Sequence, residues 1–240
     1  MDVVLLEVSI LIPMVPFSKT FFFVVCLFLL KKKWLKLTFP KILISKISLI
    51  VLVLISSVPP LEAQINDLWG YPIGEAYPYV QSSLPSLVTF RGIRSHLKLR
   101  KEAYYSFLAL KRKAAQQKVD LSIVYAYRTP STQRRLYQRL GKKQAEKAGY
   151  SEHHLGTAID LMGVTASSEA FLWLLTYGMP SGWVPSYYYR RNSRFIKEPW
   201  HWRYVGQSAA KKFYFLWKNR IDRDTQNLQY LKKKGKLKRK

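Results

Sequence analysis

The sequence predicts an α+β fold, because strand-like and helix-like segments follow one another without a regular alternation. Short segments rich in β-branched and aromatic residues, as strands are, occur at residues 121–127, 157–162, 182–187 and 200–205. Segments with helical spacing of apolar residues lie before, between and after them. Residues 64–94 are rich in Pro, Gly, Tyr and Ser and show no sustained period, which predicts an irregular surface segment.

The first half of the folded part contains one helix, one strand and a second helix. Residues 95–118 have helical spacing and Ser95 as a candidate N-cap. The residues of this helix available for burial are Leu97, Tyr104, Phe107, Leu108 and Leu110. Residues 121–127, LSIVYAY, predict a buried strand, so Arg128 lies at a strand end. Pro130 and Ser131 suit the first turn of a helix that extends towards Lys147.

The second half begins with a strand at residues 157–162. Ser167 or Ser168 can cap the helix that follows, which carries apolar residues from Phe171 to Leu175. Further strands are predicted at residues 182–187 and 200–205. A last helix is expected to start near Gln207 and to run towards the lysine-rich end of the chain.

Composition divides the chain into four parts. Residues 1–63 contain apolar runs, and we expect an N-terminal export signal or membrane anchor there: an apolar core at residues 47–58 follows several lysines, and Ala63 is a candidate cleavage position. A second apolar run at residues 21–30 leaves two alternatives, a membrane hairpin or a true start near Leu35. Both place the rest of the chain outside the cytoplasm, in the periplasm or cell envelope. The other three predicted parts are an irregular lead-in (64–94), a catalytic domain (95–218) and a basic C-terminal tail (219–240).

The charge of the chain is strongly positive. It has 40 Lys and Arg against 14 Asp and Glu, a formal net charge of +26, which draws it towards polyanions. Export and the lack of an RNP or zinc-finger pattern argue against specific nucleic-acid binding. We therefore expect the tail to bind anionic membrane or wall polymers, the alternative being a solvated tail without a partner. Cys26 is the single cysteine, so neither a disulfide within the chain nor a cysteine-rich zinc site can form.

Candidate metal ligands are few, because the chain has four histidines, at positions 96, 153, 154 and 201. Catalytic Zn²⁺ needs three protein ligands and an open position for a water whose pKa falls towards about 7. His153, Asp160 and His201 meet that need, so we expect one zinc ion. Glu198, three residues before His201, is placed to act as the general base. We expect His96 and His154 to be ordinary hydrogen-bonded residues.

These residues carry a resemblance to a known family. The segments Ser151-x-His153-x-x-Gly156-x-Ala158-x-Asp160 and Glu198-Pro-Trp-His201 resemble those of the VanY-type D-alanyl-D-alanine carboxypeptidases. The resemblance covers roughly residues 80–208. That family shares a superfamily with lysostaphin-type endopeptidases and the hedgehog domain, which implies a small central antiparallel sheet that carries the zinc site and is flanked by helices.

The resemblance also implies roles for residues outside the metal site. Residues 127–133, YRTPSTQ, are similar to a family segment whose arginine polarises the scissile carbonyl, which corresponds to Arg128. Ser131, Gln133 and Ser151 would then help to bind the substrate. Residues 182–189, GWVPSYYY, depart from the family pattern, which affects the expected shape of the substrate pocket and not the metal site.

The function implied is hydrolysis of the peptide stem of peptidoglycan, as a zinc D-alanyl-D-alanine carboxypeptidase. An L,D-carboxypeptidase or a peptidoglycan endopeptidase of the same fold is an alternative, because the sequence does not show how the substrate's end is held. The alternative from another class is a non-catalytic basic protein that binds the envelope. The sequence makes no prediction about the oligomeric state.

Overall fold

A four-stranded antiparallel sheet with the order β3-β4-β6-β5 forms the centre of the fold. The computed structural model describes residues 64–75, 77–79, 86–93, 95–190 and 196–238, all within the unit formed by residues 63–240. The segment predicted to be an export signal or anchor, residues 1–63, lies outside the described residues. In the described part, no helix combines the length and the apolar character needed to cross a membrane.

The strands and helices follow in an irregular order, as an α+β fold requires. The strands are β1 Leu87–Arg91, β2 His96–Arg100, β3 Ile123–Tyr125, β4 Ala158–Leu161, β5 Trp183–Val184 and β6 His201–Tyr204. The α-helices are α1 Lys101–Gln116, α2 Pro130–Leu140, α3 Glu169–Trp173 and α4 Gln207–Lys233. Short 3₁₀ turns occupy Glu152–Leu155 and Met179–Ser181, and a π-helical turn occupies Leu174–Gly178.

The central sheet separates an apolar core from a polar face. Successive side chains of a strand point to opposite faces. On β6, Trp202 therefore points into the core, where it packs edge-to-face on Phe171 of α3. His201 and Arg203 share the opposite face, and both are fully buried. The alternation along β6 thus turns two ionisable residues towards one side of the sheet, where the candidate site forms.

The segment around residue 96 corrects one prediction. Helix α1 starts at Lys101 and not at Ser95, because His96–Arg100 is a strand paired antiparallel with Leu87–Arg91. Leu97 and Leu99 are buried and Lys98 is exposed, which is the period-two pattern of a strand. The same hairpin shows that residues 64–94 are only partly irregular, since β1 lies within them.

Several elements are shorter than predicted, and two of them end at a residue that explains it. Helix α2 starts at Pro130, as expected, but stops at Leu140, where Gly141 has a positive φ of 76°. Strand β5 stops at Val184, because Pro185 cannot donate to a strand ladder.

The C-terminal segment corrects the expected boundary at residue 218. Helix α4 continues to Lys233, with Ile221 and Leu228 buried against the domain. Beyond it, the backbone of Lys238 bonds to Ser167 and Glu169 at 3.1 Å each. Apolar contacts spaced seven residues apart hold the helix to the core, so residues 219–238 form part of the fold and not a free tail.

Candidate metal site and catalytic cleft

Two of the predicted metal ligands lie opposite each other in the central sheet. Asp160 on β4 is the register partner of His201 on β6. Their side chains point to the same face, and Oδ1 of Asp160 lies 3.1 Å from Nδ1 of His201. The backbone ladder between the two strands therefore fixes the separation of these ligands.

The third ligand, His153, comes from the 3₁₀ turn that precedes β4. Ser151 caps this turn, and Gly156 ends it in the left-handed conformation, with φ at +69°. Gly156 thus allows the tight backbone path between His153 and Asp160. The turn brings Nε2 of His153 to 3.3 Å from Oδ2 of Asp160.

The three side chains form a group that can hold a metal ion. One ligand atom from each of His153, Asp160 and His201 lies within 4.8 Å of the other two. Two imidazole nitrogens and one carboxylate are a donor set of catalytic zinc sites. The predicted grouping of these residues is therefore confirmed.

The hydrogen bonds behind the ligands suit metal binding. Nδ1 of His153 lies 2.7 Å from the carbonyl of Ala126, which can only accept, so Nδ1 carries the proton and Nε2 offers its lone pair. Nε2 of His201 lies 3.0 Å from the Glu152 carboxylate, which leaves Nδ1 for the metal. Such outer contacts orient metal-bound histidines in general. The residues present thus fit a zinc ion.

The ionisation of the ligands follows from burial and from one another's charges. Burial, with the charge of Arg128, lowers the pKa of His153 to about 4, so this ring is neutral. Burial would raise the pKa of Asp160, but the charges and hydrogen bonds of the two histidines hold it well below its usual range. Burial would lower the pKa of His201, yet its bonds to Asp160 and Glu152 raise it to about 9. A metal ion bound at Nδ1 of His201 therefore replaces a proton.

Arg128 lies beside the metal ligands, at the end of β3. Its Nη2 is 3.7 Å from Oδ2 of Asp160. Its Nη1 donates to Oε1 of Gln133 at 2.8 Å, and Nε2 of the same amide donates to the carbonyl of Glu146 at 2.7 Å. Gln133, expected to bind substrate, is fully buried with both ends of its amide engaged, so it positions Arg128.

Glu198 lines the same cleft as the metal ligands. Its Oε1 lies 3.5 Å from Nη2 of Arg190. Burial raises the pKa of Glu198 to about 7, with the negative charge of Asp160 in the same direction. A carboxyl group with such a pKa can both accept and release a proton near neutral pH.

The cleft itself has a volume of about 860 Å³ and contains His153, Asp160, Glu198 and Arg128 in its lining. Trp200 lines it as well. Ser151 lies in the wall, but its Oγ accepts a hydrogen bond from the backbone of His153. Ser131 is exposed on the first turn of α2, bonded to Thr129, and is not part of the lining.

Of the two remaining histidines, His154 is hydrogen-bonded as expected, whereas His96 is exposed. His154 is buried and lies 2.6 Å from the carbonyl of Arg128 and 3.0 Å from the amide of Gly149. His96 is exposed at the start of β2 and reaches the outer part of the cleft. Neither belongs to the metal-binding group.

Three residues around His201 were missed by sequence reasoning. Glu152 is completely buried and binds His201, Tyr187 stacks on the His201 ring with centroids 4.0 Å apart, and Arg203 binds Glu152. The position of Arg203, two residues after His201 on a strand, is the signal that could have revealed a second charged residue on the same face. The contact of Tyr187 depends on folding and had no comparable signal.

A buried His-Asp-His group with an arginine and a carboxyl group in one cleft defines a metal-dependent hydrolase. Residues 96–207 match the model of the family described as VanY, D-alanyl-D-alanine carboxypeptidase. This part of the chain is therefore similar to the VanY family, as its motifs predicted. Among curated proteins, none matches the sequence.

Solved structures that are similar to the chain include two VanY proteins and an L,D-carboxypeptidase. A variant of the vancomycin-resistance D,D-pentapeptidase VanY in complex with Zn(II) is 22% identical over 60% of this chain and 91% of that one, with a TM-score of 0.48. VanYB in complex with D-alanine-D-alanine is 22% identical over 60% of this chain and 90% of that one, with a TM-score of 0.49. The L,D-carboxypeptidase DacB from Streptococcus pneumoniae is 23% identical over 53% of this chain and 89% of that one, with a TM-score of 0.42.

Proposed function

We propose that this protein is a zinc D-alanyl-D-alanine carboxypeptidase that removes the terminal residue from peptide stems of peptidoglycan. The observation that carries the proposal is the grouping of His153, Asp160 and His201 at a cleft that Arg128 and Glu198 also line. The pKa of Glu198, raised to about 7 by burial beside the metal-binding group, supports a catalytic function over simple binding. Similarity to the VanY family supports the same activity.

In the reaction, water adds to the scissile carbonyl carbon, the C–N bond breaks, and one water proton ends on the leaving amine. When bound, Zn²⁺ supplies the Lewis acidity that activates the water and polarises the carbonyl. Glu198 takes the proton from the attacking water and passes it to the amine. Arg128, held by Gln133, donates hydrogen bonds to the carbonyl oxygen as it gains negative charge.

The residues of the outer wall of the cleft support the proposal that the substrate has a free carboxylate. Arg135 and Arg139, one turn apart on α2, line it with Leu136 between them. Within the described residues, neither arginine has an ion-pair partner; Arg135 only donates to Oγ1 of Thr132, at 3.3 Å. The carboxyl groups of the cleft lie on the metal side instead, at Glu146, Asp160 and Glu198. A cationic wall of this kind attracts a carboxylate of a peptide stem, either the terminal one or one on a side chain.

The test is to incubate the full chain with zinc and a defined set of stem peptides and to identify the products by mass. Loss of one D-alanine from a pentapeptide that ends in D-alanyl-D-alanine is the expected result. Loss of D-alanine from a tetrapeptide alone would indicate an L,D-carboxypeptidase, and cleavage of cross-linked peptides alone an endopeptidase. No product from any peptide would favour the non-catalytic envelope protein.

We also propose that the domain works outside the cytoplasm, with its basic surface on anionic membrane or wall polymers. The apolar runs and lysines of residues 1–63 support export, and the net charge of +26 supports attraction to polyanions. A phosphatase reporter fused after residue 240 tests the location, because it is active only if it is exported. Activity of a cytoplasmic reporter fused at the same position would contradict the proposal.

A further inference from the structure

A segment upstream of the family match is bound to the metal site by buried ion pairs. Asp67 lies in the predicted lead-in, upstream of residues 96–207, which match the family model. Its carboxylate is fully buried and pairs with Nη2 of Arg203. Nη1 of Arg203 donates to Oε1 of Glu152 at 2.7 Å. Nε2 of His201 donates to Oε2 of Glu152 at 3.0 Å. A continuous series of charge-assisted hydrogen bonds thus joins Asp67 to a metal ligand.

Asp67 is held in place by its own neighbours. Its Oδ1 accepts from the amides of Trp69 at 2.8 Å and Tyr71 at 2.9 Å, which leaves Oδ2 for Arg203. The amide of Leu68 donates to the carbonyl of Val205, just after β6, at 3.1 Å. The lead-in is therefore fastened to the strand that carries His201, and its carboxylate is preorganised.

Glu152 is the centre of this network. In addition to Arg203 and His201, its carboxylate accepts from the amide of Gly74 at 2.8 Å and from Oγ of Ser186 at 2.5 Å. Gly74 has φ at +73°, and a Cβ there would lie 2.8 Å from the carbonyl oxygen of Ser186, so only glycine permits this approach. Both carboxylate oxygens of Glu152 are therefore engaged, and Arg203 is its ion-pair partner.

The ring of His201 is also fixed on its face. The ring of Tyr187 stacks on it with an angle of 9° between the planes. The hydroxyl of Tyr187 accepts from the amide of Glu152 at 3.0 Å. Tyr187 thus contacts the face of the His201 ring and Glu152 binds its edge, and the two residues are themselves hydrogen-bonded. Together they fix the orientation of the ring.

We propose that Asp67, Arg203 and Glu152 are positioning residues of the metal centre, which hold His201 with Nε2 protonated and Nδ1 facing the metal and so raise the affinity for zinc. The inference rests on the proposed zinc site. Two carboxylates and one guanidinium sum to one negative charge, which adds to that of Asp160 and favours a dication. Removing the charge of Asp67 lowers the electrostatic attraction of the site for Zn²⁺. It also leaves Glu152 as the only carboxylate paired with Arg203, so that Glu152 becomes a weaker acceptor for Nε2 of His201. Both effects weaken zinc binding.

The experiment measures zinc affinity of the full chain by competition with a chelator, together with the absorption spectrum after cobalt substitution. Asp67→Asn is expected to weaken zinc binding about ten-fold and Glu152→Gln up to about a hundred-fold, the range seen when outer-shell partners are removed. Both should shift the cobalt bands, because the orientation of His201 changes. The matched control is Tyr189→Phe, which loses a partly buried hydrogen bond to Asp224 on α4 and should lower Tm with zinc affinity unchanged.

A folded Asp67→Asn variant with wild-type zinc affinity and cobalt spectrum would overturn the proposal, and so would an equal loss of affinity in Tyr189→Phe. If Asp67→Asn does not fold, nitrogen NMR of the zinc-loaded wild type decides, since only four histidines contribute signals. A metal-bound Nδ1 and a protonated Nε2 at His201 support the proposal, and a metal-bound Nε2 overturns it. A wild type that binds no zinc would instead overturn the proposed function.

Discussion

Asp160 and His201 are direct partners in the antiparallel ladder of β4 and β6, with Oδ1 of one 3.1 Å from Nδ1 of the other. Two of the three candidate ligands therefore sit on regular strands, and a capped turn adds His153. The backbone hydrogen bonds of the sheet and of the turn therefore position all three ligands. The behaviour of the site can be predicted residue by residue.

Removing one ligand should abolish stoichiometric metal binding. His153→Ala, Asp160→Ala and His201→Ala each leave two of three donors, and we expect the bound zinc, about one per chain in the wild type, to fall to a small fraction. Elemental analysis of purified protein measures this. His96→Ala is the control, because this exposed histidine lies outside the metal-binding group. Full zinc content in all three ligand variants would disprove the site.

Removing the proton carrier or the arginine should slow catalysis without removing zinc. Glu198→Gln keeps the side-chain volume but cannot accept a proton, so kcat should fall by about 10²–10⁴. Arg128→Ala removes stabilisation of the developing oxyanion, and we expect a loss of about 10²–10³. Release of D-alanine is measured alongside zinc content. Wild-type kcat in zinc-loaded Glu198→Gln would contradict the mechanism.

The pH dependence should show an acid limb assigned to Glu198. Its pKa is raised to about 7 by burial. Glu198 works as a base only when its carboxyl group is deprotonated. We therefore expect kcat to be low at pH values below the pKa of Glu198 and to increase as the pH rises through that pKa. A bound dication lowers that pKa further, which sets about 7 as the upper limit. A kcat profile measured at saturating zinc whose acid limb has its midpoint clearly above pH 7 would show that Glu198 is not the base.

The arginines of the outer cleft should select substrates that carry a carboxylate. Arg139→Gln is expected to raise KM about ten-fold for a stem peptide and much less for the same peptide with its side-chain carboxylate amidated, because the lost contact is a charged hydrogen bond. Arg134→Gln is the matched control, since Arg134 is an exposed neighbour on α2 that does not line the cleft. Equal effects of the two variants would mean that net charge alone matters.

The lysines after residue 232 should serve binding to anionic surfaces and not turnover. Lys233, Lys234 and Lys236 are exposed, so replacing all three by Gln should weaken binding to vesicles that contain phosphatidylglycerol and reduce its salt dependence. Turnover of a soluble peptide should not change. Deleting residues 232–240 should lower Tm as well, because Lys232 pairs with Glu169 and the backbone of Lys238 bonds to Ser167. Unchanged vesicle binding in the triple variant would refute the role of these lysines.

The amino-acid sequence by itself predicted the candidate metal ligands, the candidate general base and the class of fold. Few histidines were available, the spacing from His153 to Asp160 fits a turn followed by a strand, and short strand-like segments predicted β4 and β6. These are local properties of the chain, so they can be derived before folding is known.

Tertiary structure decided the rest, because it depends on contacts between distant residues. Leu97 and Leu99 fit either a helix or a strand, and only pairing with Leu87–Arg91 selects the strand. Burial of Ile221 and Leu228 likewise makes a helix of what composition described as a tail. The approach of Asp67 to Arg203 and of Glu152 to His201 spans large sequence separations that no local period records. The ligands are thus encoded locally, whereas the network that orients them exists only once the lead-in, the turn and the sheet have packed together.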